Sequence, residues 1–351
     1  MSNQEIHFTP AKNREQVDPD GTPQLDAPYF DTHLGAWVLT RYADLMAAFQ
    51  AESLIPGRRD VATLSLVSEE TARLTMREET RDALSPARIR AWRERLSADA
   101  DRLCRDLPQG KPIDLLTAYA RPLCLSFAAT VTGISQSDAG QLEELAQIAS
   151  AAAANPEDPA LRDRAKSANQ SLRGYFNAGP EPLRDSGFVG LSQTLARIVS
   201  AAWYALIQSP DQWALLHRSP ESMDRAMEEL LRYAGNIRTL TRTATADIDL
   251  NGVSICKGDQ LILKVSAANH DPARFSRPDQ VDCNRRDPSH LTLGAGGHAC
   301  VAGNLIRTAA ITMTSPLLTQ FASAALAREV EWHGGSVMYS PACLWVTFAC
   351  S

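Results

Sequence analysis

The chain has 351 residues, of which 44% are hydrophobic and 22% charged, so it can bury a large core, and we expect one domain over residues 1–351. Its formal net charge of −6 argues against nucleic acid or an anionic membrane as a partner. The seven cysteines are scattered and odd in number, which is typical of reduced thiols, and no apolar run resembles a signal or a membrane span. We therefore expect a soluble, cytoplasmic protein.

The sequence of the first half of the chain predicts mainly helices. A polar, proline-containing lead-in occupies residues 1–30, and a short strand is predicted at 36–40. Ser85 followed by Pro86 is a helix-start signal, with the cap before the first turn and proline inside it. A weakly patterned connector covers 55–68. The predicted helices are 42–49, 69–84, 86–107, 113–154 and 162–176.

A long apolar run at 188–208 predicts a buried helix in the second half, and it contains GLSQT at 190–194. The next helix, 227–234, carries Glu229 and Arg232 on one face, a pair that is common on solvated helices and weak as a signal. Alternating strands follow, with a turn at 251–252 and a bend at 257–259. The chain closes with a helix end and a β-pair of 330–332 with 343–348.

The most distinctive stretch is 291–307, LTLGAGGHACVAGNLIR, a glycine-rich loop that presents Cys300 just before a helix predicted from Val301 onward. A helix start favours a thiolate, the form that ligates a metal or attacks carbon. A catalytic cysteine would need a separately supplied base, and a phosphate loop would need a Lys-Ser/Thr pair that is missing. A zinc site of His298, Cys300 and Cys283 lacks paired ligand spacing. A buried structural cysteine is the plainest alternative.

The same loop resembles the haem-binding loop of the cytochrome P-450 family, F-G-x-G-x-H-x-C-x-G followed by L-A-R. Here Leu293 replaces the phenylalanine and Ala302 the glycine after the cysteine. Other stretches keep the family's order, namely WVLTRYAD at 37–44, EELLRY at 228–233 and ANHDP at 268–272, and Gly133 falls at a family turn. The resemblance implies a mainly α fold with a small β region (α+β), in which haem lies between the long helix and the cysteine loop.

The resemblance also implies roles for individual residues. Cys300 would ligate the iron of haem b, with Leu293 and Gly294 beside the sulfur. Glu229 and Arg232 would form a buried ion pair with Arg285. Residues 237–240 would line the pocket above the haem. The residues implied for the haem propionates are Arg77, Arg81, Arg242 and His298.

The implied activity is that of a monooxygenase, since thiolate ligation favours O–O cleavage and the family inserts oxygen into C–H bonds. The expected partners are a small-molecule or carrier-bound substrate and a separate ferredoxin- or flavodoxin-type electron donor. The arginines that would form a docking patch for that donor are Arg88, Arg90, Arg93 and Arg95. Two alternatives stay open: an atypical haem-thiolate enzyme that couples, rearranges or dehydrates its substrate, and a non-catalytic haem-binding protein.

Two departures from the family pattern bear on the reaction. Thr194 matches the family's alcohol, but Gln193 stands where a carboxylate is usual, and an amide has no titratable proton to relay. Another acid, a substrate carboxyl or a different reaction would have to compensate. The connector at 55–68 and the region before Gly187 are shorter than in the family, which predicts an open mouth and a bulky or carrier-held substrate.

Overall fold

The computed structural model describes residues 27–57, 78–176, 183 and 185–349. Helices account for most of the described residues and strands form small sheets, which confirms the expected fold class. The helices are α1 (Tyr42–Gln50), α2 (Pro86–Arg105), α3 (Arg121–Thr132), α4 (Gln136–Ala154), α5 (Pro159–Phe176), α6 (Asp185–Val189), α7 (Leu195–Ile207), α8 (Pro210–Arg218), α9 (Met223–Ala234), α10 (Val265–Asn269) and α11 (Gly303–Gln320), and residues 78–83 are also helical. Two π-helical turns, Leu116–Ala120 and Gly190–Thr194, lead directly into α3 and α7.

The largest sheet has five strands in the order β1-β2-β8-β5-β3, antiparallel throughout except for the parallel pair β2 and β8. A three-stranded sheet has the order β4-β12-β9, and β6-β7 and β10-β11 are separate hairpins. The strands are β1 (Tyr29–Asp31), β2 (Ala36–Leu39), β3 (Leu54–Pro56), β4 (Ile113–Asp114), β5 (Thr239–Ala244), β6 (Ile248–Leu250), β7 (Val253–Ile255), β8 (Gln260–Lys264), β9 (Ser323–Leu326), β10 (Trp332–Gly334), β11 (Tyr339–Pro341) and β12 (Trp345–Ala349).

Local sequence signals set several of these boundaries. The Ser85 side chain accepts a hydrogen bond from the Arg88 N–H, and Pro86 stands in the first turn of α2, as predicted. Gly133 ends α3 in the left-handed conformation, with φ 72°. Asn251 and Gly252 both have positive φ, 54° and 86°, which is the backbone of the tight turn that joins β6 to β7.

Helix α7 is central to the core, and each of its residues is buried except Arg197. A helix that is apolar on all sides has to be surrounded by protein, so this burial follows from its composition. The polar atoms inside are paired: Trp203 Nε1 donates to Thr314 Oγ1 at 2.8 Å, and the Tyr119 hydroxyl donates to the Met313 carbonyl at 2.8 Å. No helix in the described ranges is long and apolar enough to cross a membrane.

Two predicted elements are wrong. Residues 113–154 are not helical from their start, because Ile113 and Asp114 pair with β12, and the Asp114 carboxylate accepts the N–H groups of Leu116 and Leu344. The closing β-pair is also different: β12 pairs with β9 and β4, while β10 pairs with β11 across a short hairpin turn. A local hairpin satisfies the backbone of β10 and β11, so neither is left to pair with β12.

Candidate active site

The loop before α11 turns back on itself so that Cys300 lies beside Leu293. The Cys300 N–H donates to the Leu293 carbonyl at 2.8 Å, and the Gly294 N–H donates to the Leu291 carbonyl at 2.9 Å. Gly294 has φ 70°, which favours glycine. Helix α11 begins at Gly303 with Ala302 as its N-cap, two residues later than predicted. Cys300 therefore lies just ahead of the helix, and its carbonyl accepts from the Gly303 N–H at 3.1 Å.

A second glycine of the loop docks on the end of α1. Gly296 has φ 63°, and a Cβ at this position would collide with the Phe49 carbonyl oxygen. The ring of Phe49 in turn lies 5.3 Å from the guanidinium of Arg242 in β5. Phe49 thus brings the cysteine loop and one predicted propionate ligand to the same place. Sequence reasoning missed this link because Phe49 reads only as a core residue of α1.

Cys300 is one of two exposed cysteines among the described residues, and Cys256 is the other. Cys104, Cys124 and Cys283 are buried. Burial and nearby carboxylates raise the pKa of Cys104 and of Cys283 to about 12, which disfavours the thiolate form. A zinc site that includes Cys283 is therefore not supported, and the described residues contain no group of three or more His, Cys, Asp or Glu side chains that could hold a metal.

The predicted ion pair is present and buried. Glu229 is 0% exposed and Arg232 1%, and their side chains meet through two hydrogen bonds of 2.7 and 2.9 Å. Arg285 donates to the same carboxylate at 2.8 Å, as expected, and the Asp282 N–H donates to it at 2.9 Å. The cost of burying charges is offset only when their lone pairs and protons form hydrogen bonds. Here one carboxylate accepts hydrogen bonds from two guanidinium groups.

This ion pair is connected to the cysteine loop through Asn269. Arg232 donates to the Asn269 carbonyl at 2.7 Å, and the Asn269 side chain accepts from the Leu291 N–H at 2.8 Å and donates to Thr292 Oγ1 at 2.9 Å. Thr292 donates in turn to the Leu231 carbonyl at 2.7 Å. The loop is therefore held by the same network that neutralises Glu229. The stretch ANHDP at 268–272, which includes Asn269, resembles the family, but the sequence did not predict this role for Asn269.

Glu228, the neighbour of Glu229, holds the other side of the loop. Its carboxylate accepts from Arg307 Nε at 2.6 Å and lies 3.3 Å from His290 Nε2. Burial alone would raise the pKa of Glu228, but the contacts and charges of His290 and Arg307 outweigh it and hold that pKa below its ordinary value. Arg307 lies in the first turns of α11, so this contact fixes where the helix leaves the loop.

The structure places three of the four predicted propionate ligands. Arg242 is 3% exposed in β5, and its Nη1 donates to the Thr241 carbonyl at 2.8 Å. His298 is half-buried in a 3₁₀ turn, and Arg81 is exposed in the helical residues 78–83. Arg77 lies outside the described residues. Arg242 and the turn of His298 both approach the end of α1.

The central helix is distorted at Gln193 and Thr194, the two residues that the family pattern links to the reaction. The Leu195 N–H donates to the Gly190 carbonyl five residues back, so Gly190–Thr194 forms one widened turn. Such π-turns interrupt the regular hydrogen bonding of an α-helix, and they occur often at functional sites. Gln193 and Thr194 lie half-buried in this turn, and Gln193 Nε2 donates to Ser192 Oγ at 3.4 Å. The sequence alone contains no sign of the distortion.

Residues 237–240, expected to line the pocket, contact the tip of the β10-β11 hairpin. The Arg238 N–H donates to the Val337 carbonyl at 2.9 Å, and Thr239 Oγ1 donates to the Ser336 carbonyl at 2.6 Å. The tip also reaches the end of α4, where the Val337 N–H donates to the Ala154 carbonyl at 3.2 Å. Residues 58–68, 177–182 and 184 lie outside the described ranges, so the open mouth stays a prediction.

A separate groove of about 480 Å³ lies between α2 and α11. It is lined by residues such as Arg93, Asp101, Ile311 and Ser315, and by none of the predicted site residues. It is therefore not the space beside Cys300.

The residues around Cys300 suit a thiolate-ligated haem. Cys300 is exposed, and a Cβ at Gly297 of the same loop would meet no heavy atom within 4 Å. The half-buried Leu293 offers apolar cover, and Arg242 and His298 supply donors for two carboxylates. A soft sulfur ligand with cationic donors nearby is the combination that an iron porphyrin requires.

Comparison with known proteins agrees with this geometry. The family model of cytochrome P450 matches residues 220–321. Nocardicin C N-oxygenase of Nocardia uniformis subsp. tsuyamanensis is 27% identical over 357 residues, covering 89% of each chain, and linalool 8-monooxygenase of Pseudomonas putida is 29% identical over 256 residues, 64% of this chain and 62% of that protein. The crystal structure of P450BioI in complex with an acyl carrier protein ligated to hexadec-9Z-enoic acid has a TM-score of 0.80 at 23% identity, covering 89% of this chain and 92% of that chain.

Proposed function

Because the chain belongs to the cytochrome P450 family, we propose that it oxidises a small or medium organic metabolite with dioxygen and externally supplied electrons. It is an oxidoreductase of the monooxygenase type with a haem iron as cofactor, and we assign that cofactor as haem b with Cys300 as the axial ligand. The observation that carries the proposal is the exposed Cys300 in a loop that Asn269 connects by hydrogen bonds to a buried ion pair.

The haem, when bound, supplies the activation of dioxygen, which a thiolate ligand favours. The chain's own residues hold it and shape the space around it. Leu293 and Gly294 cover the sulfur, and Arg77, Arg81, Arg242 and His298 bind the two propionates. The experiment that tests the assignment is the absorption spectrum of the purified, reduced protein under carbon monoxide. A red-shifted, thiolate-type Soret band is expected, and a spectrum without it would overturn the proposal.

Propionate binding predicts a difference in haem retention between arginines. Arg242→Leu and Arg81→Leu should each weaken haem affinity by about tenfold or more, because charge-assisted hydrogen bonds contribute about 1.5–3 kcal/mol. Arg90→Leu and Arg93→Leu remove exposed arginines of α2 and serve as controls. Haem transfer to an apo-globin acceptor measures the loss. Equal transfer rates in all four variants would refute the assignment.

The electron donor is proposed to be a ferredoxin or flavodoxin that docks on the arginines of α2. Arg90, Arg93 and Arg95 are exposed, while Arg88 is half-buried and stacks on Trp92 at 4.9 Å. Arg93→Glu should slow reduction by about tenfold at low salt, since electrostatic steering changes association rates by 10–10³-fold. Arg162→Glu, on the exposed side of α5, is the control. If the rate of reduction measured by stopped flow changes neither with Arg93→Glu nor with ionic strength, the prediction is wrong.

Gln193 predicts an unusual response to mutation. At this position its amide can hold a water but carries no proton at neutral pH, while Thr194 Oγ1 offers a hydroxyl one residue on. Gln193→Ala should therefore change product formed per electron by less than about threefold, far below the 10²–10⁴ that a positioned general acid contributes. Product and peroxide are measured per electron consumed. If alanine abolishes turnover and Gln193→Glu improves coupling, the residue is a degraded proton relay instead.

The substrate is proposed to be either a free small molecule or a molecule bound to a carrier. The enzyme is proposed to act in the cytoplasm. The carrier-bound alternative is supported by the fold's similarity to P450BioI, which was crystallised with an acyl carrier protein.

A further inference from the structure

The central helix has one accessible stripe, and this stripe contains Gln193 and Thr194. From residue 191 to residue 207 every residue is buried except Gln193, Thr194 and Arg197. Gln193 and Arg197 are four residues apart, and residues at this spacing lie on the same helical face. The side chains of Gln193 and Arg197 are therefore partly accessible on one face of the helix, and Thr194 is the next residue after Gln193.

Arg197 is half-buried, and among the described residues no Asp or Glu forms an ion pair with Arg197 or with Arg121. Burial and the Arg121 guanidinium lower the pKa of Arg197, so its surroundings oppose its charge. Arg121 itself is exposed and donates to the Ala342 carbonyl at 3.4 Å. The positive charge of Arg197 is thus opposed by its surroundings and is paired with no carboxylate of the described residues, so an anionic ligand would stabilise it.

The residue one turn before Arg197 fits this arrangement. A carboxylate at 193 would stand in the i, i+4 relation to Arg197 and would pair with it, which would consume the positive charge. Gln193 is neutral and its amide is turned to Ser192, so it leaves the Arg197 charge available. The glutamine that departs from the family pattern is, in this view, part of an anion site.

We infer that Arg197 binds the carboxylate of an anionic substrate on the helical face of Gln193, with Arg121 adding to the positive potential. This assignment rests on the proposed function and deepens it, because it names the substrate class as carboxylic acids. The substrate's carboxylate then lies within one helical turn of Gln193, and the remainder of the molecule extends along the accessible stripe toward Thr194.

The test compares acids with neutral analogues of the same shape. Decanoate is titrated against decanamide, and 3-phenylpropanoate against 3-phenylpropanamide, by calorimetry with the haem-loaded enzyme. The wild type should prefer an acid over its amide by about tenfold or more, since hydrogen bonds to charged groups contribute at this level. Arg197→Gln should abolish that preference, Arg197→Lys should keep part of it, and Arg197→Glu should instead favour decylamine. Arg162→Gln is the matched surface control.

Haem content and the carbon monoxide spectrum are recorded for each variant, so that a failure of the haem assignment is distinguished from a failure of this inference. If no acid binds the wild type more tightly than its amide, or if Arg197→Gln keeps the preference, Arg197 is not the carboxylate site.

Discussion

Cys300→Ala is expected to abolish the thiolate-type carbon monoxide spectrum and all substrate oxidation. The variant lacks the one exposed thiol in the loop that the Leu293 carbonyl and Gly303 N–H define. An alanine leaves the loop backbone unchanged, so loss of activity would report loss of the ligand and not of the fold. The spectrum of the reduced protein and product formation with a supplied electron donor are the measurements.

The matched control is Cys256→Ala, which removes another exposed cysteine, at the bend before β8. It should keep the spectrum and the activity of the wild type. No buried cysteine can take over, because burial raises the pKa of Cys104, Cys124 and Cys283. An unchanged spectrum in Cys300→Ala would eliminate Cys300 as the axial ligand.

Glu229→Gln is expected to lower the free energy of unfolding by about 3–5 kcal/mol, since one buried carboxylate neutralises two guanidinium groups. Arg232 is 1% exposed and Arg285 8%, so neither can turn to solvent when the charge is removed. Because Arg232 also positions Asn269, and Asn269 holds the cysteine loop, haem affinity should fall as well. Denaturant unfolding of the haem-free and haem-loaded forms separates the two effects.

Glu221→Gln serves as the control for this experiment, because Glu221 is exposed in the turn before α9. Its effect should stay within about 0.5 kcal/mol, as for most surface substitutions. A loss below about 1 kcal/mol in Glu229→Gln would mean that the two arginines find other partners, and the network would then not be what holds the loop.

Several contacts of the candidate site could not be anticipated from the residues around them. Sequence reasoning selected Glu229 and Arg285 because the family pattern marks them, but it passed over Glu228, which pairs with Arg307 79 positions later. It placed Asn269 in a stretch that resembles the family but predicted no role for this residue. It also paired β12 with the wrong strand, because several edges offer β12 the same kind of partner and only the packing of the whole chain decides between them.

The sequence by itself determined the features that depend on near neighbours. Ser85 and Pro86 start a helix, Asn251-Gly252 makes a tight turn, and the apolar run at 188–208 has to be buried, since each follows from local backbone preferences or from composition. Only the tertiary structure decided which distant groups meet. It brought Arg121 close enough to Arg197 for its charge to lower the pKa of Arg197, and it widened the turn at Gly190–Thr194, because such features depend on how helices pack against one another.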